Sequence, residues 1–362
     1  MALESGARQL CRREKTMEHV GIDLAKNKSQ VCILTADGEV IERRIATTRE
    51  QFTKVLGDRP PSRVLVESST ESEWVARHVE SLGHEVIVAD PNFAPMYAKR
   101  TRRIKTDRRD AAELAQACHI GNYRAAHRLS EKQRDSRARI GVREALVRTR
   151  AKYVTLVQTL LRRDGLRVGT GTTRGFLTRL KAVGMSARLQ AQVQPLLTLL
   201  DHINTAIAEA DAWLAEQAKS DPVLRRLSSV PGVGPVTAAS FAAAVDDVGR
   251  FGQAKHVAAY LGLVPSESSS GDRQSRGGIT KAGNGRARWL LVEAAWAILR
   301  YKKPETEQLR EWASRIAGRR GKRVAAVALA RKLARILFAM WRDGRDYAPI
   351  LPALQPSVAA LT

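Results

Sequence analysis

The run of short apolar segments between His19 and Asp90 constrains the fold most. "HVGIDLA" and "SQVCILTA" are β-rich, "ADGE" supplies an Asp-Gly turn, and "EVIERRIAT" answers it as the returning strand of a hairpin. A short helix over Thr48–Leu56, the apolar strand "RVLVES", a helix over Glu71–Leu82 and the strand "EVIVAD" follow. Three hairpin-like strands and then alternating helix and strand make a mixed sheet with helices on its faces, an α/β domain over residues 18–126.

The periodicity then changes from two to three-and-four. Leu146, Thr149, Tyr153, Leu156 and Leu160 keep 3,4 spacing, as do Leu189, Val193, Leu196, Leu200, Ile203, Ile207, Ala210 and Leu214. Two helices, separated by the Gly- and Thr-rich "DGLRVGTGTTRG", are expected over residues 127–220 as an antiparallel helical hairpin or a dimerising coiled coil. Pro195 marks a kink or a late start to the second helix. The alternative is a compact helical subdomain.

Residues 221–345 read as a third, mostly helical domain. In "LSSVPGVGPVTAASFAAAV" a Pro-Gly-Val-Gly turn joins two apolar helices, the pattern of a helix-hairpin-helix element. Gly232 and Gly234 there let backbone N–H groups approach a phosphate. After "RRGKR" comes the amphipathic helix "AVALARKLARILFAMW". Residues 1–17 carry no pattern and read as a disordered extension, which leaves Met1 or Met17 as the start; 346–362 form a C-terminal tail.

Charge narrows the partner. Lys and Arg outnumber Asp and Glu by 61 to 37, giving +24, beyond what solubility requires. A polyanion, and nucleic acid above all, is the expected partner. No apolar run spans a membrane and no secretory signal is present, so a cytoplasmic, nucleoid-associated protein is expected. Cys11, Cys32 and Cys118 show neither CxxC pairing nor a neighbouring His pair, and are expected to be reduced thiols.

Against that basic background the acids of "RRIKTDRRDAAELA" stand out. Asp107 and Asp110, at i and i+3, share a helix face, flanked by Arg102, Arg103, Lys105, Arg108 and Arg109. Asp23 ends the first strand and Glu67 ends "RVLVE". Four carboxylates from two strands and a helix converge on one sheet edge in a ribonuclease H-like fold, where two divalent ions can grip a phosphodiester. Each acid also has a plain structural reading: a turn former at Asp23, a helix cap at Glu67, and salt bridges to arginine at Asp107 and Asp110.

A second constellation runs from Val264 to Ala295. Five serines, Arg273, Arg276, Lys281 and five glycines lie between two apolar helices. This is either a flexible loop or the setting of a nucleophilic hydroxyl, with backbone freedom and cations to hold the attacked phosphate.

The order of "GIDLAKNK", "VLVESS", "RRIKTDRRDAAELA", "VPGVGPVTAA" and "LGLVPSESSSGDRQSRGGITKAGNGRARWLLVEAA" resembles the DEDD-type insertion-sequence transposases, the bridge-RNA-guided recombinases of the insertion-sequence-110 type. The resemblance covers His19 to about Arg300. It implies a RuvC-like first domain with Asp23, Glu67, Asp107 and Asp110 as ligands of Mg²⁺ or Mn²⁺. It implies a nucleophilic serine at Ser270, with Ser268 and Ser269 as the alternatives beside it. It further implies donor and target double-stranded DNA and a noncoding bridge RNA as partners, and a homodimer assembling into a tetramer with composite sites. The chemistry it implies is transesterification through a covalent 5′-phosphoserine. The competing reading is a RuvC-like metal-dependent, structure-selective nuclease such as a junction resolvase, in which water is the nucleophile.

Overall fold

The structure is a computed structural model and describes residues 17–97, 106–270 and 273–349, with the side chains of Ala94, Tyr97, 268–270 and 273–276 left out. The chain divides into two compact units, the first ending at Arg128 and the second beginning at Leu129.

The first unit is built on a five-stranded sheet of β1 (His19–Asp23), β2 (Lys28–Leu34), β3 (Val40–Ala46), β4 (Arg63–Glu67) and β5 (Glu85–Ala89), in the order β3-β2-β1-β4-β5. β1, β2 and β3 form an antiparallel meander, and β4 and β5 run parallel to β1. Parallel pairing requires crossovers, and α1 (Arg49–Leu56) and α2 (Ser72–Ser81) supply them. Alternation decides which side chains face which helix. Val20, Ile22, Val64 and Val66 join Phe52, Leu56, Val75 and Val79 in one apolar layer. Leu65 turns the other way, onto α3 (Asp107–Ile120), with Leu114, Ala117 and Cys118. The expected mixed sheet with helices on both faces is therefore present.

In the second unit α4 (Glu131–Arg163) and α6 (Ala187–Ser220) run antiparallel: Arg143 meets Asp211, and Arg150 meets Asn204. Their far end is closed by the short α5 (Phe176–Leu180), whose Phe176 and Leu180 pack with Val154, Val157, Leu161, Leu189, Val193 and Leu200. On α6 the buried line, Leu189, Val193, Leu200, Ile207 and Leu214, follows the expected spacing. On α4 it is displaced by one residue: Val154, Val157 and Leu161 are buried, whereas Leu156 is 46% exposed. α6 begins at Ala187, capped by Ser186, so Pro195 lies inside the helix rather than at its start.

The base of this helical pair contributes Ile140, Leu214 and Ala218 to a large core. The rest of that core comes from α7 (Pro222–Ser228), α8 (Pro235–Val245), α9 (Ala254–Tyr260), α10 (Gly285–Arg300), α11 (Glu307–Arg320) and α12 (Lys322–Asp343). The segments expected as separate, 127–220 and 221–345, thus lie in one compact unit. Between α9 and α10 a two-stranded antiparallel sheet, β6 (Pro265–Ser270) and β7 (Arg273–Ile279), stands where a serine-rich loop was expected.

Candidate active site

Three relationships bring the acids to one edge. The first is register. Ile22 pairs with Val66 across the parallel β1–β4 ladder, so Asp23 and Glu67, the next residues, end neighbouring strands side by side. The second is alternation: Asp23 shares a face with Gly21, and Glu67 with Leu65, the face that α3 covers.

The third is the direction of α3. The ring of His119, at its C-terminal end, lies 4.9 Å from that of His19 at the start of β1. Midway, a Cβ on Gly21 would lie 2.2 Å from both the Ala111 oxygen and the Ala115 nitrogen. α3 is therefore antiparallel to β1 and pressed onto it, and its first turn lies at the Asp23 end. That turn carries Asp107 and Asp110 on the face continued by Ala111 and Leu114. Asp110 is 8% exposed and Asp107 is exposed.

The sequence dictates the start of α3. Thr106 is extended and accepts a hydrogen bond from the Arg109 N–H at 3.4 Å, an N-cap, and the two acids meet the positive end of the helix dipole. Gly121, at φ 69°, ends the helix. Glu67 leads into a turn held by the Ser72 hydroxyl, which accepts from the Ser69 N–H and donates to the Ser69 carbonyl.

A fifth acid at the same edge, Asp90 after β5, is already engaged. It accepts from the Asn92 N–H at 2.9 Å and pairs with Arg124, and these hold its carboxyl below the usual range against the opposing effect of burial. Among the described residues no three acidic, His or Cys side chains stand in a geometry that could hold a metal ion. The donor set at the edge is nonetheless all carboxylate, the hard oxygen type that suits Mg²⁺ or Mn²⁺. The residue types at this edge fit a divalent ion.

Of the expected phosphate-holding cations, Arg102, Arg103 and Lys105 lie outside the described residues. Arg108 is ion-paired with Glu42 on β3, and Arg109 is exposed. Cys32 and Cys118 are free, buried thiols; Cys11 lies outside the described residues.

In the second unit, Ser270 is the last residue of β6 and pairs with Arg273, which places it at the tip end of the hairpin. The side chains of Ser268, Ser269, Ser270, Arg273 and Arg276 lie outside the described residues. The base of the hairpin is clamped. Gly283, at φ 68°, leaves no room for a Cβ, which would lie 2.0 Å from the Tyr260 oxygen. Arg288 on α10 donates to the carbonyls of Leu261 and Ala282, at 2.9 and 2.8 Å. Lys281 is exposed and, unusually for a residue with a Cβ, holds φ 57°.

The Pro-Gly-Val-Gly turn joins α7 to α8. Gly232, at φ 92°, directs its missing Cβ at Ile298 of α10, so that glycine is required by packing as well as by the turn; Gly234 faces open space. Beside the turn is a cavity of about 530 Å³ that also reaches Lys303 and Tyr301, neither of which stood out in the sequence. The signal for Gly21, a glycine inside a strand, was present and marks close backbone approach.

A sheet edge bearing acids from two strands and a docked helix, followed by a largely helical unit, is consistent with the DEDD class of nucleic-acid-processing enzymes. Residues 20–163 match the DEDD transposase family of the IS110 type, and residues 224–311 match the family described as "Transposase IS116/IS110/IS902 family". The chain is 30% identical to the transposase for insertion sequence element IS1111A of Coxiella burnetii, over 93% of each chain. It is 32% identical to a probable family 20 transposase of Pseudomonas aeruginosa, over 92% of this chain and 99% of that one. With the transposase for insertion sequence element IS1328 of Yersinia enterocolitica it shares 29% identity, over 90% and 97%. The chain belongs to the IS110/IS116 family of transposases and is a DNA-recombining enzyme. No helix among the described residues is long and apolar enough to cross a membrane.

Proposed function

We propose that the chain recombines an insertion sequence by RNA-guided transesterification, with Asp23, Glu67, Asp107 and Asp110 holding Mg²⁺ or Mn²⁺ and Ser270 as the nucleophile. The antiparallel docking of α3 on β1 carries the reading, because it sets the Asp107 and Asp110 turn at the Asp23 and Glu67 end of the sheet. A divalent ion bound there supplies positive charge against the non-bridging oxygens of the scissile phosphate.

The residues of the chain do the rest. The Ser270 oxygen attacks phosphorus, the bond to the 3′-oxygen breaks, and the 3′-oxygen takes a proton as the hydroxyl loses one. The product is a 5′-phosphoserine and a free 3′-hydroxyl. One phosphoester is exchanged for another, so strand joining by the reverse attack needs no ATP. Arg273, Arg276 and Lys281, in the hairpin and at its base, are the cations that anchor the phosphate, while the turn at Gly232 and Gly234 grips duplex backbone.

Double-stranded donor and target DNA, a noncoding RNA encoded beside the gene, and a dimer pairing into a tetramer complete the reading. The hairpin of one subunit then serves the acidic edge of another.

The test is a denaturing-gel trap for covalent protein–DNA adducts, with Mg²⁺, element-end DNA and the flanking transcript. An adduct lost in both Ser270→Ala and Asp107→Ala is expected. Cleavage without an adduct, surviving Ser270→Ala and lost in Asp107→Ala, would instead make the protein a hydrolytic nuclease.

A further inference from the structure

α12 has two working faces. Leu329, Leu333, Leu337 and Phe338 are fully buried in the core of the second unit. Ala328, Arg331, Lys332, Arg335 and Ile336 fall on another side and, with Trp312 of α11, line a groove of about 650 Å³. The 3,4 spacing of these positions keeps them in one stripe along the helix.

The chemistry of the groove is lopsided. Three cations line it and no carboxylate does. The Lys332 ammonium lies 4.6 Å from the centre of the Trp312 ring. The Arg331 Nε is buried without a hydrogen-bond partner. Burial, and then the neighbouring cations Arg315 and Arg335, lower the Lys332 pKa; no acid offsets them. Four acids, Glu305, Glu307, Asp343 and Asp346, line an adjoining cavity that shares Lys332, Ile336 and Ala339 with the groove. Half-buried cations facing one another, with a buried Arg331 Nε left unspent, are a cost to the fold that an anionic ligand removes.

We propose that this groove binds an unpaired stretch of nucleic acid, with a base stacked on Trp312 and the adjoining phosphates on Arg331, Lys332 and Arg335. An aromatic face within a basic groove is the combination that holds single strands. A duplex keeps its base faces covered and has no use for the tryptophan. On binding, the base takes the place of the Lys332 ammonium on the ring, and the ammonium turns to a phosphate. The groove extends the recombinase reading to a second surface, and its test needs no catalysis, so failure of the acidic or serine chemistry leaves it readable.

Fluorescence anisotropy of the full chain with an unstructured single-stranded oligonucleotide and a matched duplex, over a salt series, tests the proposal. Lys332→Gln with Arg335→Gln is expected to weaken single-strand binding and to flatten the plot of log affinity against log salt by about 1.4, roughly 0.7 per lost phosphate contact. Trp312→Leu is expected to weaken single-strand binding by about 5- to 150-fold, the equivalent of ~1–3 kcal/mol per stacked base. It leaves the salt slope and duplex binding as they were. Arg162→Gln with Arg163→Gln, at the exposed end of α4, is the matched charge control. Two results overturn the proposal: a Lys332/Arg335 variant no weaker than that control, or a folded Trp312→Leu variant that binds single strands like the parent. Should Trp312→Leu not fold, the charge pair against its control decides alone.

Discussion

Gly21 and Ala111 touch backbone to backbone: a Cβ at position 21 would lie 2.2 Å from the Ala111 carbonyl oxygen. Nothing at that contact is a flexible side chain that can move aside. Gly21→Ala must therefore push α3 off β1, at a cost of about 1–3 kcal/mol for overpacking. The displaced element is the one that carries Asp107 and Asp110, and it also roofs Cys32, which packs with Ala111 and Ala115. Two readouts should change together in this variant. Adduct formation falls by far more than the lost stability explains, and Cys32 becomes open to alkylation in the native protein.

Two acids at this edge, Asp107 on α3 and Asp90 after β5, separate the proposed catalysis from stability. Asp107 is exposed at the first helical position, where its charge helps the helix by about 0.3–1 kcal/mol. Asp107→Asn should thus barely move the melting temperature and, as a proposed metal ligand, still lower strand cleavage by about 100-fold. Asp90→Asn should do the reverse. It gives up the Asn92 turn and the Arg124 pair, lowers stability, and leaves cleavage in place. Cleavage kinetics beside thermal melts of both variants check the assignment; normal cleavage by Asp107→Asn would remove this residue from the site.

The buried thiols give the first unit a signature at alkaline pH. Burial first, and then the Glu42 carboxylate, push Cys32 from 9.0 to about 11, with Arg108 opposing; burial pushes Cys118 from 9.0 to about 12. The neutral thiol is favoured in the folded state, so its contribution is complete below pH 9. Above that pH the unfolded chain ionises first, and stability falls as pH rises towards 11. Each thiol removes about 1.4 kcal/mol per pH unit in that window. Denaturant melts at pH 8.5, 10 and 11 should show the slope, and a Cys32→Ala, Cys118→Ala variant should lose that part of it.

Much of the first unit was legible because its strands obey a period of two and its loops carry turn residues. "HVGID" and "RVLVE" place apolar and functional side chains on opposite faces by alternation alone. The helical seam was harder to place. On α4, Arg143 and Arg150 hold seam positions opposite Asp211 and Asn204, so hydrophobicity points one residue away, to Leu156 instead of the fully buried Val157. The partner supplies the reason for a charged residue in a seam, and the partner is not visible in a local pattern. The β6–β7 hairpin escaped for the opposite reason. The strands are polar and carry two glycines, which strands disfavour, so no alternating apolar pattern marks them. The role of Gly232 was half legible: its turn could be read from Pro-Gly-Val-Gly, its contact with Ile298 could not.

The clamped base of the β6–β7 hairpin is the means of separating the two halves of the proposed chemistry. Gly283→Ala places a Cβ 2.0 Å from the Tyr260 oxygen at a φ of 68° that alanine disfavours. The β6–β7 base should open, carrying the Ser270 end of the hairpin out of register, while the fold of the first unit has no part in the contact. Expected is a loss of covalent adduct with Cys32 still closed to alkylation, the opposite of the Gly21→Ala pattern. If subunits share sites as proposed, mixing Gly283→Ala with Asp107→Asn protein restores part of the adduct, because each variant supplies the half that the other lacks. A mixture as inactive as either variant alone would mean that both halves of the site come from one subunit.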